Sequence, residues 1–381
     1  MAGIMEAVRL LHTADWHLGK VLKGVDRTPE IGEALKTLLE MVAKEGVDLV
    51  VVSGDLFDRP QVSAEAEAMA VEFFLRLREL GVPALVIAGN HDPKERLEAL
   101  APLFALAGAA VRGRPLFREE GGVVEVGGLR AALLPFVSER ILVKKVLQEA
   151  EERHRTYAEA MRRILANLES PLMLGHFALE GVRPGAGEFV FHLTGSYAVP
   201  PSALPLGARY VALGHIHRQQ QVSEAPVAWY AGSLIQLDFG EGEEAERGAL
   251  LVEVPERGPV RVHPIRERWG KPLKTLHLKP EELDGRLPEL ERFPGYLRVV
   301  VEGRLSPAVK ERLFQELPHL LAVETAGGPE DGGNGTLAPE LGLVEAYDRY
   351  LKERGREEEG LLERFNQVLK EVELEALAPG A

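Results

Sequence analysis

Residues 49–58 read LVVVSGDLFD, a short apolar run that ends in a Gly-Asp turn. Runs of this length between turn signals are typical of buried β-strands. Similar runs lie at residues 8–11, 84–88, 129–134, 172–174 and 210–213. Several stretches between them have the spacing of amphipathic helices, at residues 28–45, 63–80 and 139–168. Because strands alternate with helices, the sequence predicts an α/β domain up to about residue 252.

Polar clusters stand just after five of these apolar runs. They read DWHLG at residues 15–19, GDLFD at 54–58, GNHD at 89–92, GHF at 175–177 and GHIH at 214–217. Ligands of open α/β sheets gather outside the carboxyl ends of the strands. We therefore expect one site that is assembled from distant parts of the chain.

The residue types in these clusters are those of a metal site. Carboxylate, imidazole and amide oxygen together suit Mn, Fe, Co or Zn better than Ca. More ligands are present than one ion with open positions takes, whereas two ions that share a bridging carboxylate would use them all. Two ions close together are a recurrent device for phosphate-ester hydrolysis. The seven candidate ligands are Asp15, His17, Asp55, Asn90, His176, His215 and His217.

In this order, the motifs resemble those of the calcineurin-like metallophosphoesterases. Their fuller forms, with YAGSLIQLDFGE at residues 230–241, resemble the SbcD branch, the nuclease subunits of SbcC–SbcD DNA repair complexes. The resemblance implies an α/β fold with a metallophosphoesterase-type β-sandwich flanked by helices, a small α+β capping domain and a C-terminal helical tail. It also implies two divalent ions, with manganese favoured. Asp15, His17 and His217 would hold the first ion, Asn90, His176 and His215 the second, and Asp55 would bridge both.

Other residues near the motifs gain roles from the same resemblance. His91 would be a catalyst that is not a metal ligand, and it would protonate the leaving oxygen or stabilise the transition state. Asp58 stands where some archaeal relatives carry a second catalytic histidine, and Asp92 is expected to orient a ligand histidine, so both are expected beside the ligands. Trp16 is expected to pack beside the metals, and stacking on DNA bases is the alternative.

The chain divides into four predicted parts. Residues 1–258 form the nuclease domain and residues 271–326, which alternate strand and helix patterns, form the capping domain that helps to position DNA. A connector with three prolines at about residues 255–270 joins them. The Gly-rich residues 327–339 are expected to be a flexible linker. Residues 340–377 are expected to be a helical tail that docks on an ATPase partner.

Three contact surfaces are expected, each with an alternative. Helices at 63–80 and 94–106 would form a homodimer, or would only cover their own sheet. The tail would dock through one helix face on the coiled coil of an SbcC-type ATPase, or would pack on its own chain. A basic strip would contact DNA, or would only be a solvated connector. The tail face is Leu361, Phe365, Val368 and Val372, and the strip is Arg261, Arg266, Arg268, Lys271 and Lys274.

Composition excludes several classes of protein. The chain has 381 residues and no cysteine, which excludes disulfide frameworks, iron–sulfur clusters and cysteine nucleophiles. No apolar run approaches the roughly 20 residues that span a bilayer, and no secretory signal is evident, so we expect a cytoplasmic protein without a membrane partner. The net charge of −14 disfavours nucleic-acid binding. Bound ions and the ATPase partner are therefore expected to supply much of the affinity for DNA.

The resemblance implies a nuclease of double-strand-break repair and recombination. It would cut single strands endonucleolytically and, with the ATPase, degrade duplex ends and open hairpins. A metal-dependent phosphatase or small-molecule phosphodiesterase on the same core is one alternative. A scaffold that only tethers the ATPase is another.

Overall fold

The computed structural model describes residues 7–138, 157–184, 198–303 and 305–326, together with Arg364. The predicted linker at 327–339 therefore lies outside the described residues, as does the tail at 340–377 apart from Arg364. The same holds for the tail face of Leu361, Phe365, Val368 and Val372. Of the long helix predicted at 139–168, only the part from residue 157 is described.

Strands and helices alternate over most of the described chain. The helices are α1 (Thr28–Glu45), α2 (Ala64–Glu79), α3 (Lys94–Leu106), α4 (Tyr157–Asn167), α5 (Leu283–Leu290) and α6 (Pro307–Glu316). The strands are β1 (Ala7–Thr13), β2 (Val21–Leu22), β3 (Val25–Asp26), β4 (Leu49–Ser53), β5 (Ala84–Ile87), β6 (Ala109–Arg112), β7 (Val123–Val126), β8 (Leu129–Leu134), β9 (Leu172–His176), β10 (Tyr210–Gly214), β11 (Gln220–Glu224), β12 (Val227–Tyr230), β13 (Ala249–Pro255), β14 (Arg261–Ile265), β15 (Leu273–Leu278), β16 (Tyr296–Glu302) and β17 (Leu320–Ala326).

Two six-stranded sheets form a sandwich. The first has the order β14-β13-β1-β4-β5-β6 and the second β11-β12-β10-β9-β8-β7. Strands β1, β4, β5 and β6 are parallel in the first sheet, and β8, β9, β10 and β12 are parallel in the second. Apolar side chains of both inner faces, such as Val51 and Leu174, pack into one core. The predicted α/β sandwich is confirmed.

Helices cover the outer faces of the sandwich. The amphipathic helices α1, α2 and α3 bury Leu38, Phe74 and Leu97 against the first sheet. Helix α4 buries Met161 and Ile164 against the second sheet. The Ser63 side chain caps α2 by accepting a hydrogen bond from the Ala66 amide, which explains where this helix begins.

A third sheet lies in the stretch that the sequence predicts to be a capping domain, at residues 271–326. Its three parallel strands have the order β15-β16-β17. Helices α5 and α6 connect these strands, and their apolar residues share a separate core with the sheet. This core is anchored to the sandwich at Arg27, whose side chain is fully buried. The Arg27 guanidinium pairs with Glu30, donates to the Lys271 carbonyl and lies over the Tyr296 ring.

Part of the stretch predicted as a proline-rich connector is a β-strand. Residues 261–265 form β14, which pairs with β13 at the edge of the first sheet, so this sheet continues beyond residue 258. Proline lacks the amide that a central strand needs, but an edge strand has one side without a partner strand. Pro264 is therefore tolerated in β14, although the prolines of this stretch had predicted an irregular segment.

Within the described ranges, no helix combines the length and the apolarity that are needed to cross a membrane.

Candidate metal centre

The predicted ligands follow strands that end at one edge of the sandwich. Strands β1, β4 and β5 of the first sheet and β9 and β10 of the second carry them at or just after their carboxyl ends. The backbone there is unusual, because five described non-glycine residues have positive φ and four of them are predicted ligands. These four are Asp15 (51°), His17 (53°), Asp55 (51°) and His215 (94°). Such conformations cost about 1–3 kcal/mol each and cluster at functional sites.

Two glycines let the ligand loops approach each other. A Cβ atom on Gly54 would overlap the His176 ring, and one on Gly89 would overlap the Asp55 carboxylate. Gly54 also has a φ of 95°, which glycine adopts without strain. The glycines in these motifs therefore leave the space in which the ligand side chains lie.

We expect Gly89→Ala to lower the free energy of unfolding by about 1–3 kcal/mol, since the added methyl group must displace Asp55. Thermal melting in the presence of a chelator measures this without any contribution from bound ions. The control is Gly285→Ala in α5, where a Cβ atom meets nothing within 4 Å. That change should stabilise the helix by about 0.5–1 kcal/mol. Equal melting temperatures for both variants would contradict the steric role of Gly89.

Asp15, His17 and His217 form one group. Each offers a ligand atom within 4.8 Å of the other two. The Asp15 carboxylate also accepts a hydrogen bond of 2.9 Å from the His215 amide. Both ring nitrogens of His17 are buried and make no well-aligned hydrogen bond, although the Asp58 carboxylate lies 3.4 Å from Nδ1. A buried imidazole without a hydrogen bond is costly, and a metal ion at this group would remove that cost.

Asn90, His176 and His215 form a second group. Asn90 Oδ1 lies 3.0 Å from His176 Nε2 and 3.0 Å from His215 Nδ1. His176 Nδ1 donates to the Ser53 carbonyl at 2.7 Å, so a neutral His176 presents only a lone pair at Nε2. Two lone-pair atoms at 3.0 Å repel each other unless a proton or a cation lies between them. This donor set therefore also fits a metal ion.

Asp55 lies between the two groups. Its Oδ2 atom is 3.7 Å from His17 Nε2 and 3.4 Å from His176 Nε2. Its Oδ1 atom accepts a hydrogen bond of 2.9 Å from the His91 amide. One carboxylate oxygen thus faces both groups, which is the arrangement that a bridging ligand requires.

The electrostatics of the centre favour bound cations. Burial lowers the pKa of His17 to about 4, so this imidazole is neutral and available as a ligand at pH 7. Burial also lowers the pKa of His176, but ionised Asp55 outweighs it and raises that pKa to about 9. Burial raises the pKa of Asp55, yet the nearby His176 holds it well below its usual range. In the metal-free protein a proton on His176 thus supplies the positive charge that an ion would bring.

His91 lies beside this centre with one ring nitrogen engaged. Its Nδ1 donates to the Asp58 carbonyl at 2.8 Å, which leaves Nε2 for other partners. Its ring centroid is 4.9 Å from that of His17. His91 also forms a group with His17 and Asp58 whose ligand atoms lie within 4.8 Å of one another. Geometry alone therefore permits His91 to be either a catalyst or a ligand.

The two aspartates predicted beside the ligands occupy different positions. Asp58 Oδ1 lies 3.4 Å from His17 Nδ1 and 3.1 Å from Lys20 Nζ. The expectation that Asp92 orients a ligand histidine through a hydrogen bond is wrong. Its two carboxylate oxygens accept from the amides of Phe57 and Gly89 instead. Because these amides belong to two ligand loops, Asp92 holds the loops together.

Glu241 is a site residue that the motifs did not single out. Its Oε1 atom lies 2.8 Å from His217 Nδ1, and its side chain is 3% exposed. It stands 24 residues after His217, in a 3₁₀ turn at Phe239–Glu241. The only signal in the sequence was its place at the end of the 230–241 motif.

Trp16 packs in the core against helix α2, so its ring is not available to stack on DNA bases. Its side chain is fully buried, stacks on Phe74 and meets Phe73 edge-on.

The basic strip is only partly assembled, since Arg266, Arg268 and Lys271 line one cleft with Trp269 and Phe293. Arg261 in β14 does not line this cleft, whereas Lys274 Nζ in β15 lies 5.7 Å from the centre of the Phe293 ring at its border. Glu253 and Glu246 pair with Arg261 and Arg266.

Comparison with known proteins agrees with this geometry. Residues 8–219 match the family model described as calcineurin-like phosphoesterase. The chain is 33% identical over 261 residues to the SbcD subunit of the SbcCD nuclease of Bacillus subtilis, covering 65% of this chain and 67% of that protein. The corresponding protein of Rhodobacter capsulatus is 31% identical over 309 residues, covering 74% of each chain. The DNA double-strand break repair protein Mre11 of Methanopyrus kandleri is 27% identical over 326 residues, covering 81% of this chain and 68% of that protein.

Proposed function

This chain belongs to the calcineurin-like phosphoesterase family and, within it, to the SbcD nucleases, and we propose that it cuts DNA at a centre of two divalent ions. Its function is that of a DNA repair nuclease, an enzyme that hydrolyses phosphate esters. The position of Asp55 between two groups of ligand atoms carries the proposal of two ions. The relatives are named as nucleases, so a phosphatase or small-molecule phosphodiesterase is not favoured.

The residues of the centre have distinct tasks in this proposal. Asp15, His17 and His217 hold one ion, Asn90, His176 and His215 hold the other, and Asp55 bridges them. When bound, two such ions neutralise charge on the phosphate and activate a water molecule for attack. With Nδ1 donating to the Asp58 carbonyl, His91 would carry a second proton on Nε2 in its imidazolium form and could give that proton to the leaving oxygen, which returns the ring to its neutral form.

We propose manganese as the metal. The mixed set of imidazole, carboxylate and amide oxygen suits Mn, Fe, Co or Zn, and the family resemblance favours manganese among them. Single strands would be cut endonucleolytically by the chain alone. Duplex ends and hairpins would require an SbcC-type ATPase with a coiled coil, docked on the tail at residues 340–377. The relatives named as parts of SbcCD support this partner. We propose that the protein acts in the cytoplasm, as expected from its sequence.

The decisive experiment supplies the purified chain with Mn²⁺ and two substrates, a circular single-stranded DNA and a chromogenic phosphodiester. We expect the circle to be opened and the diester to be hydrolysed, and a chelator to stop both reactions. Hydrolysis of the diester without cutting of the circle would contradict single-strand cleavage by the chain alone. No hydrolysis of either substrate would contradict a hydrolytic two-metal centre.

We also propose that the chain forms a homodimer through α2 and α3. Apolar residues there are unusually exposed, with Leu75 at 46%, Leu103 at 62% and Leu106 at 69%. Contiguous exposed apolar surface commonly marks an interaction site. These residues lie on helices whose other faces already cover the first sheet. Both alternatives stated for these helices are therefore compatible with one another.

We expect Leu103→Glu to raise the dimer dissociation constant at least about tenfold, because a charge in an apolar contact costs about 2 kcal/mol or more. Light scattering across a dilution series measures the change in mass. Leu206→Glu is the matched control, since Leu206 is 85% exposed and lies outside both helices. Unchanged dimerisation of the Leu103 variant would contradict this surface.

The capping role proposed for residues 271–326 depends on DNA contacts at Arg261, Arg266, Arg268, Lys271 and Lys274. The cleft that contains Arg266, Arg268 and Lys271 supports the central part of this strip. Since two of these cations, Arg261 and Arg266, pair with glutamates, the contribution of the strip to affinity should be modest and salt-dependent.

A further inference from the structure

The histidines of the two metal groups are supported by different partners. In the first group, His217 Nδ1 lies 2.8 Å from the Glu241 carboxylate, and His17 Nδ1 lies 3.4 Å from the Asp58 carboxylate. In the second group, His176 Nδ1 is bound at 2.7 Å by the neutral backbone carbonyl of Ser53. Negative charge behind an imidazole makes it a stronger donor to a metal ion.

Glu241 is fixed in place by contacts beyond His217. Its Oε2 atom accepts a hydrogen bond of 3.0 Å from the Leu237 amide and lies 3.9 Å from Arg247 Nη2. Its side chain is 3% exposed and that of His217 is 13% exposed. Because one oxygen accepts from Leu237 and the other faces His217 Nδ1, the carboxylate holds a proton on Nδ1. With the proton on Nδ1, His217 would hold an ion through Nε2.

We propose that Glu241 is a positioning residue that orients His217 and makes the first metal position the tighter of the two. The proposal rests on the two-metal function stated above. The charges around the two positions support unequal affinities. Asp55 is shared, and Asp15 also reaches both positions, since it offers a ligand atom within 4.8 Å of His176 as well as of His17 and His217. The carboxylates of Asp58 and Glu241 lie beside histidines of the first position, whereas the second has the neutral Asn90 and the Ser53 carbonyl. The nearby Asp92 uses its oxygens on backbone amides.

The test is calorimetric titration of Mn²⁺ into the metal-free full-length chain. Wild-type protein should bind two ions with unequal affinities. Glu241→Gln keeps the shape of the side chain and removes its charge, so it should weaken the tighter site about 10–100-fold and leave the weaker site unchanged. Glu244→Gln, an exposed acid near the same turn, is the matched control and should bind like wild type.

Thermal melting of the metal-free proteins separates positioning from a general structural role. The proposal predicts a selective loss at one site with a nearly unchanged melting temperature. Equal weakening of both sites with a lowered melting temperature would overturn it, because Glu241 would then merely support the fold. Two unchanged affinities in the glutamine variant would overturn it as well. Failure of the two-metal function itself has a different signature, namely wild-type protein that takes up no ion.

Discussion

The Asp55→Asn protein is expected to lose both metal ions together and to cleave DNA at least roughly 10³-fold more slowly. Asp55 Oδ1 accepts from the His91 amide, and Oδ2 faces His17 and His176. An asparagine would keep its single oxygen on the His91 amide and turn its NH₂ group toward the histidines. An NH₂ group is no metal ligand, so the shared contact disappears. At about 1.4 kcal/mol per factor of ten in rate, cleavage that is roughly 10³-fold slower corresponds to a loss of several kcal/mol of charge stabilisation in the transition state.

The measurement pairs Mn²⁺ content after gel filtration with the rate of cutting circular single-stranded DNA. Asp48→Asn is the control, because Asp48 is also an aspartate that accepts a backbone amide, here that of Arg9. It should retain both ions and its full rate. Retention of two ions and near-normal cleavage by the Asp55 variant would show that Asp55 does not bridge.

The His91→Ala protein is expected to keep both ions and to cleave DNA about 10²–10⁴-fold more slowly, the usual contribution of a positioned general acid. The defect should be small for a chromogenic diester, whose good leaving group hardly needs a proton. His91→Asn adds a second comparison, because its amide nitrogen can still reach the Asp58 carbonyl that His91 Nδ1 contacts. It should be as slow as the alanine variant if Nε2 is the acting atom.

Metal content decides between the two roles that geometry permits for His91. If His91 were a ligand together with His17 and Asp58, the alanine variant would hold fewer ions than wild type. Full activity of the alanine variant on DNA would exclude both roles. An equal defect on both substrates would favour transition-state stabilisation over protonation of the leaving oxygen.

The sequence predicted the parts of this centre in which chemistry restricts residue type. Asp15 and His215 could be predicted as ligands because each follows a buried strand whose carboxyl end reaches the same edge. Glu241 was not predicted as a site residue, since it lies 24 residues from its histidine partner and only its place at the end of the 230–241 motif marks it. Asp92 was assigned to a histidine because its type suits that task, whereas the choice of backbone amides depends on loop positions that only the fold sets. The edge strand β14 was missed because Pro264 reads as a break unless the edge is known.

The left-handed backbone of Asp15, His17, Asp55 and His215 restricts how this centre can be transferred to another protein. Aspartate, asparagine and histidine tolerate positive φ better than most residues, whereas β-branched and bulky residues do not. Each of these positions thus restricts its residue type in two ways. The side chain must supply a donor atom, and the residue must tolerate a positive φ. A designed site that copies only the donor residue types onto a new scaffold would lack the left-handed backbone conformation of these four positions. The graft must carry the four backbone turns as well.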